Sequence, residues 1–161
     1  MPGQISFDNV TVTYGPKTAL AGVSLEMPER QISAIIGPAN SGKTTLLKCI
    51  NRTIDFIPSA KVVGQVLIDG QDVSRVRNVY ELRRRVGMVF PLPVGLPLSV
   101  FDNVAYAPRM AGAHDRDELE ALVEKCLRQA MLWDEVKDRL DLLGTRLSGG
   151  QQQRLTLARA L

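Results

Sequence analysis

A glycine-bounded loop constrains this chain more than any other feature. The loop has the spacing G-x-x-x-x-G-K-[ST]; its residues are Gly37, Pro38, Ala39, Asn40, Ser41, Gly42, Lys43, Thr44 and Thr45. The apolar run at 32–36 precedes it and predicts a strand, and residues 46–50 follow with helical character. Backbone amides of such a loop surround an anion at the positive end of the new helix. The sequence therefore predicts a binding site for a nucleoside triphosphate at all nine loop positions.

Individual loop residues suit that chemistry. Gly37 and Gly42 allow backbone angles and a close approach that a Cβ would forbid. Lys43 is the candidate catalytic residue, because its amine can reach the outer phosphates as a point charge. Thr44 is the candidate metal ligand, because its hydroxyl can bind Mg²⁺.

Composition narrows the class of protein further. The chain has 161 residues, enough for one ordinary domain with a sizeable core. Its net charge of +3 is too small to indicate a nucleic-acid partner, and we expect none. Cys49 and Cys126 show no metal or redox spacing, and with no signal peptide they indicate reduced thiols in a cytosolic protein. Because no apolar run is long enough to span a bilayer, membrane function would require a partner.

The first half of the chain predicts mixed β and α structure. Strands are expected at residues 5–14, 19–27, 62–70 and 86–90, and a short helix at 79–85. A phase slip near 8–9 leaves open whether residues 5–14 form one strand or two short ones. Asp69 ends the third of these strands, as a magnesium-positioning carboxylate would. We favour a turn aspartate, because Gly70 follows it and no acidic neighbour could orient water. The three arginines at 83–85 are expected on a solvated face.

The second half predicts a helical insertion over 97–143. A helix begins near Ser99 with Val100, Val104 and Ala107 on one face, and Pro108 is expected to end it. Asp115 predicts a capped second helix, and a third, short helix is expected at 133–140. The apolar stripe of the second helix comprises Leu119, Leu122, Val123, Cys126, Leu127 and Ala130.

A second glycine site follows at residues 147–154. Ser148 is a suitable N-cap for the next helix, and Gly149 and Gly150 occupy its first turn. Glycine costs a helix about 1 kcal/mol against alanine, so something is expected to approach this backbone closely. One triphosphate needs only one helix-terminal anion site. The second therefore predicts that two chains share nucleotides across a two-fold axis.

Together the loop and the run Leu147-Ser148-Gly149-Gly150-Gln151 resemble the ATP-binding-cassette (ABC) ATPases over the whole chain. The resemblance implies an α/β P-loop NTPase with an N-terminal antiparallel β region, an incomplete RecA-like parallel core and a helical subdomain. Its expected segments are 1–96 for the β region and phosphate-loop core, 97–147 for the helical subdomain, and 148–161 for the signature and following helix. It implies ATP and Mg²⁺ as cofactors and stacking of Tyr14 on adenine. Ser148, Gly149, Gly150 and Gln151 would contact the ATP of the opposing chain.

Finer matches resemble the ATP-binding subunit of the bacterial phosphate importer. They lie at residues 49–52, 57–62, 81–90, 102–106, 132–140 and 149–154. This resemblance implies a homodimer or paired ABC ATPase at the cytoplasmic face of the membrane. It also implies integral membrane permease subunits and, indirectly, a solute-binding protein.

Three departures from the family pattern set further expectations. Asn40 stands for a glycine inside the loop, and Asn tolerates left-handed angles. Pro91 stands where the family has a glutamine that contacts Mg²⁺ and the attacking water. The chain ends at Leu161, before the family's Asp-Glu strand and switch histidine, so we expect a C-terminally truncated ATPase with little turnover alone.

The alternatives are a non-catalytic or regulatory ATP-binding module and, less favoured, a soluble phosphate-loop kinase or a DNA-repair ABC protein.

Overall fold

The computed structural model describes residues 4–91 and 95–161. The chain divides into two compact units, one through Gly87 and the other from Met88. The first unit contains β1 (Ile5–Tyr14), β2 (Lys17–Met27), α1 (Lys43–Ile50), β3 (Ala60–Ile68), β4 (Gln71–Asp72) and α2 (Val79–Arg85). The second contains α3 (Val100–Met110), α4 (Arg116–Gln129), α5 (Trp133–Val136) and α6 (Gly149–Ala160).

The first unit is built on an antiparallel sheet with strand order β2-β1-β3-β4. Strand β1 is central and pairs with both β2 and β3, so its backbone is held on two edges. Alternate residues of β1 point into a core that α1 and α2 share, including Phe7, Val10 and Val12. The first three predicted strands are therefore confirmed.

The predicted phase slip in β1 is a local bulge in one continuous strand. Asn9 has a φ of 47°, and the register shifts there against both neighbouring strands. Gly64 of β3, with a φ of 95°, lies against the bulge. A Cβ on Gly64 would lie 2.7 Å from the carbonyl oxygen of Asp8 and nearer still to that of Asn9. Only glycine fits this backbone approach.

The interpretation of Asp69 as a turn residue is confirmed. Asp69 and Gly70 have φ angles of 53° and 76° between β3 and β4, as a two-residue hairpin turn requires. The expectation for the arginines of α2 is wrong at Arg83. Its guanidinium donates to the carbonyls of Asn51 and Arg52 and lies 4.4 Å from the centre of the Phe56 ring.

Two predicted strands are absent from the described sheet. The run at 32–36 lies outside any strand and exposes Ile32 and Ile36 almost completely, and residues 86–90 are likewise unassigned and mostly exposed. Apolar composition indicates a buried strand, but a strand also needs a hydrogen-bonded neighbour. Neither run has one among residues 4–91 and 95–161, so the antiparallel part of the predicted fold is formed and the parallel part is not.

The second unit packs its helices around a core of its own. The predicted stripe of α4 is confirmed: Leu119, Val123, Cys126, Leu127 and Ala130 are buried and Leu122 is half-buried. Asp115 is the N-cap of α4, as the sequence predicts, and Ser99, near which the start of α3 is predicted, is the N-cap of that helix. The predicted short helix at 133–140 is α5 followed by a 3₁₀ turn at Lys137–Arg139.

The prediction for α3 is wrong in two respects. The helix continues past Pro108 to Met110, because a proline in the last turn removes only one of the final backbone hydrogen bonds. Ala107 is exposed, whereas Asn103 is fully buried. The Asn103 side chain accepts a hydrogen bond from the amide of Leu96 and donates to the carbonyls of Leu98 and Ser99. This satisfied amide anchors the segment that enters α3.

Both cysteines are buried, free thiols. Burial raises the pKa of Cys49 to about 11, and its thiol donates to the carbonyl of Thr45. Burial also raises the pKa of Cys126. A protonated buried thiol is a core side chain rather than a nucleophile. Across residues 4–91 and 95–161, no helix has the length and apolar character that crossing a membrane would require.

The contact between Gly64 and the β1 bulge generates a stability prediction. Gly64→Ala is expected to lower the free energy of unfolding by about 1–3 kcal/mol, because the new Cβ overlaps backbone that cannot rotate away. Gly70→Ala is the matched control, with positive φ but nothing within 4 Å of its Cβ position. Urea denaturation of both variants measures the difference. Equal destabilisation would show that the bulge contact is unimportant.

Candidate nucleotide-binding site

The backbone around Gly42 defines the start of α1. Gly42 is the N-cap of the helix and has a φ of 89°. A Cβ at this position would lie 2.6 Å from Leu20 Cδ2 and 2.7 Å from the carbonyl oxygen of Ala19, both on β2. Asn40 has a φ of 62°, so the expected left-handed asparagine is confirmed. The loop therefore reaches α1 through two left-handed residues and passes directly against the sheet.

The first turn of α1 is open to an anion. Its N-cap makes no side-chain hydrogen bond, and the turn contains no acidic residue. The first amides of a helix have no partner within the helix, and the helix dipole adds positive potential there. Residues 37–41 are exposed, so these amides are accessible from the loop side.

The Lys43 amine is held over the loop. Its Nζ donates to the carbonyl oxygens of Gly37 and Pro38 at 2.9 and 2.5 Å, and to Ser41 Oγ at 3.3 Å. The three donors of an ammonium group are thus matched by three loop oxygens. A phosphate oxygen carries more negative charge than a carbonyl and would replace such partners favourably. The structure therefore places the predicted cation at the opening of the predicted phosphate cradle.

Tyr14 lies in the same cleft. The cleft has a volume of about 250 Å³ and is lined by Tyr14, Lys17, Thr18, Ala19, Asn40, Ser41, Gly42, Lys43, Thr44 and Thr45. The Tyr14 hydroxyl is 3.1 Å from Thr45 Oγ1, within hydrogen-bond distance. Seven of the predicted nucleotide-binding residues thus line the cleft. Gly37 and Pro38 do not line it, but their carbonyl oxygens accept hydrogen bonds from Lys43 Nζ. Ala39 is exposed on the loop.

The two threonines of the loop differ in environment. Thr44 is exposed at the cleft, so its hydroxyl is free to approach an incoming metal ion. Thr45 is buried beneath it, against Tyr14. Within residues 4–91 and 95–161, no group of three His, Cys, Asp or Glu side chains could hold a metal. A Mg²⁺ ion here would arrive with phosphate oxygens and waters, as is usual for that ion.

Sequence reasoning missed three lining residues. Lys17, Thr18 and Ala19 begin β2, and the pairing of Lys17 with Tyr14 across the Gly15-Pro16 turn brings them to the cleft. A lysine directly after the Gly15-Pro16 turn was the available signal. Its relevance depends on the strand register, which the local sequence does not specify.

The second glycine motif lies in the other unit, at the start of α6. Ser148 caps the helix by accepting from the Gln151 amide, and the Gln151 side chain accepts from the Ser148 amide. The expected N-cap is thus confirmed as a reciprocal capping box. Gly149 and Gly150 are exposed, and a Cβ on either would meet nothing within 4 Å. The contacts of the described chain therefore do not require glycine at these two positions.

Glu135 of α5 supports this motif and was also missed by the sequence reasoning. It accepts from Gln151 Nε2 at 2.8 Å and from Arg154 NH2 at 2.7 Å. These hydrogen bonds and the Arg154 charge hold the pKa of Glu135 below its usual value. The contact spans 16 residues to Gln151, so no local sequence rule could reveal it.

The loop, its glycine-initiated helix and the lysine over it define the chain as an α/β protein of the P-loop NTPase class. A family profile described as "ABC transporter" matches residues 20–161, and the chain belongs to that family. The predicted family and the ABC-ATPase fold class are confirmed, with the antiparallel region and the helical unit formed and no parallel strands among residues 4–91 and 95–161.

Curated relatives agree with the finer resemblance. The chain is 51% identical to "Phosphate import ATP-binding protein PstB 3" of Streptococcus pneumoniae, over 99% of this chain and 64% of the relative. It is 49% identical to "Phosphate import ATP-binding protein PstB" of Thermotoga maritima, over 98% of this chain and 63% of the relative. The chain thus spans less than two thirds of the length of these relatives.

Solved structures share the fold. A bacterial Atm1-family ABC exporter with ATP bound superposes with a TM-score of 0.82 at 30% identity, covering 99% of this chain and 27% of the exporter. CbiO1 from Clostridium perfringens, part of the ABC transporter complex cbiONQ, gives a TM-score of 0.79 at 22% identity. That match covers 99% of this chain and 61% of CbiO1, and it supports the fold alone.

The lowered pKa of Glu135 generates a pH prediction. A carboxyl with a depressed folded-state pKa stabilises the fold above its unfolded pKa of about 4.3, and the effect disappears as pH falls through the folded value. Glu135→Gln is expected to lower the melting temperature at pH 7, and this deficit is expected to shrink as the pH falls below about 4.3 and the carboxyl takes up its proton. Asp134→Asn, at the neighbouring and largely exposed carboxyl, is the control. A Glu135→Gln deficit that persists unchanged at low pH would contradict the ionic role.

Proposed function

We propose that this chain is the ATP-binding part of an ABC importer ATPase, and that the imported solute is inorganic phosphate. The site residues support nucleotide binding, and the names of the relatives support the solute. In the complete transporter, ATP binding and hydrolysis would drive partner membrane subunits at the cytoplasmic face of the membrane. The predicted roles of the site residues belong to this proposal.

One observation supports nucleotide binding most strongly. The Gly42 backbone lies against β2 so closely that no side chain fits, and the open first turn of α1, which Lys43 begins, follows it directly. The Lys43 amine reaches back over the loop. The loop amides, the dipole of α1 and the Lys43 ammonium group then all attract negative charge to the same place, which suits a polyphosphate. Lys43 would bind the β- and γ-phosphates, and Thr44 would bind the accompanying Mg²⁺.

The signature helix supports a two-chain site. Its exposed glycines leave the backbone of the first turn open at positions where the described chain needs no glycine. Ser148, Gly149, Gly150 and Gln151 would contact the γ-phosphate of ATP held by an opposing ABC subunit. In a homodimer each chain would contribute one loop and one signature to each of two sites.

A groove in the helical unit suits a membrane subunit. It has a volume of about 1250 Å³, and Met110 at its edge is 71% exposed. Acidic side chains outnumber basic ones in the lining of the groove. The basic ones are Arg109, Arg116 and Lys137, and the acidic ones are Asp102, Glu120, Glu124, Asp138 and Asp141. Cytoplasmic loops of membrane proteins are enriched in lysine and arginine, so their charge is complementary to this groove.

Nucleotide binding is tested by charge removal at Lys43. Lys43→Ala is expected to weaken Mg·ATP binding by about 10- to 100-fold, since hydrogen bonds to charged groups contribute about 1.5–3 kcal/mol. Lys48→Ala removes the same charge from the last turn of α1 and is expected to bind normally. Isothermal titration calorimetry with both variants gives the comparison. Equal affinity of Lys43→Ala and Lys48→Ala would exclude the proposed cradle.

The partner groove is tested by adding charge at Met110. Met110→Lys is expected to lower the amount of phosphate-importer membrane subunits that the tagged chain retains in detergent, because an ammonium group replaces apolar contact area and repels the basic loops of the partner. Met131→Lys is the matched control, because Met131 is 79% exposed in the same unit and does not line the groove. If Met110→Lys retains the membrane subunits as well as the control does, the groove is not the docking surface.

A further inference from the structure

We infer that the Tyr14 hydroxyl, through its hydrogen bond to Thr45, positions the aromatic ring for the nucleotide base and so determines the preference for a nucleotide over a bare polyphosphate. This inference rests on the proposed function. Stacking on a base requires only the aromatic ring, whereas here the phenolic oxygen has the additional role of holding that ring in position.

The backbone of Tyr14 is fixed on both sides. It is the last residue of the central strand β1 and pairs with Lys17 of β2 and Ala60 of β3. The next residue, Gly15, donates its amide to the carbonyl of Ser59 at 2.9 Å. The Cα position of the ring is therefore set by the sheet.

The far end of the side chain is fixed by a different element. The Tyr14 hydroxyl lies 3.1 Å from Thr45 Oγ1, and Thr45, in the first turn of α1, is 8% exposed. Tyr14 is half-buried: its side chain packs against the core of the first unit and also lines the cleft. The ring thus spans from the sheet to the helix that begins the phosphate cradle.

A ring held at both ends is pre-organised for a planar ligand. A tyrosine fixed only at its backbone would lose rotamer freedom when a base stacks on it, and that loss would weaken binding. The hydrogen bond removes this freedom before the ligand arrives. Phosphate contacts made by the Lys43 amine and the loop amides do not depend on the ring orientation.

The test compares Mg·ATP with Mg²⁺ and inorganic triphosphate, which keeps the three phosphates and lacks the nucleoside. Tyr14→Phe keeps the ring and removes the hydroxyl. It is expected to weaken Mg·ATP binding by about two- to tenfold, the range for one hydrogen bond, and to leave binding of Mg²⁺ with inorganic triphosphate unchanged. Tyr80→Phe, at a tyrosine that is 78% exposed, is the matched control and is expected to alter neither.

Variants at Thr45 test the other partner. Thr45→Ser keeps a hydroxyl and is expected to preserve the preference for ATP over triphosphate. In the Thr45→Val background, Tyr14→Phe is expected to cause no further loss of that preference, because the bond is already absent. Urea denaturation of each variant separates this effect from a change in folding stability.

Three outcomes would overturn the inference. Tyr14→Phe could bind ATP as tightly as the wild type, or it could lose ATP and triphosphate equally, which would indicate structural support of the loop. The wild type could also bind the two ligands with equal affinity, which would leave phosphate binding intact but show that the ring is not engaged. A wild type that binds neither ligand would instead reject the proposed function itself.

Discussion

The approach of the Gly42 backbone to β2 is the contact on which the rest of the site depends. A Cβ at Gly42 would lie 2.6 Å from Leu20 Cδ2 and 2.7 Å from the Ala19 carbonyl oxygen, so only glycine lets α1 begin this close to the sheet. That placement brings the first turn of α1 beside Tyr14, at the end of the adjacent strand. It also sets Lys43 where its amine reaches back to the loop carbonyls. Sheet, loop and helix are thereby joined at one residue.

The two glycine motifs both begin helices, but the first turns of these helices differ in their capping. The start of α1 has no side-chain cap, so its amides remain available to a ligand. At the start of α6 the reciprocal bonds of Ser148 and Gln151 engage two backbone amides, and Glu135, itself paired with Arg154, holds the capping glutamine in place. Gly149 and Gly150 between them stay exposed. The first arrangement suits a phosphate bound in the cleft beside the sheet, and the second suits contact from another chain.

Much of this architecture could be predicted because it is local. The phosphate loop, the caps at Ser99, Asp115 and Ser148 and the Asp69-Gly70 turn follow from short-range chemistry. Most of the errors are non-local. The runs at 32–36 and 86–90 have the composition of buried strands, but neither has a strand partner in the described structure. The fixed position of Arg83 and the role of Glu135 depend on carbonyls and side chains brought together by tertiary packing. Asn103 is different, because its partners are close in sequence and only the path of the segment before α3 turns them toward it.

The central claim is that residues 37–45 and Tyr14 form one nucleotide site. Titration of the isotopically labelled chain with Mg·ATP, followed by amide chemical shifts, tests it most directly. The account predicts saturable shifts at the amides of residues 39–45, in the first turn of α1 and at Tyr14, with a common dissociation constant. Saturating ATP that leaves these amides unchanged, or shifts only amides of the helical unit, would contradict it.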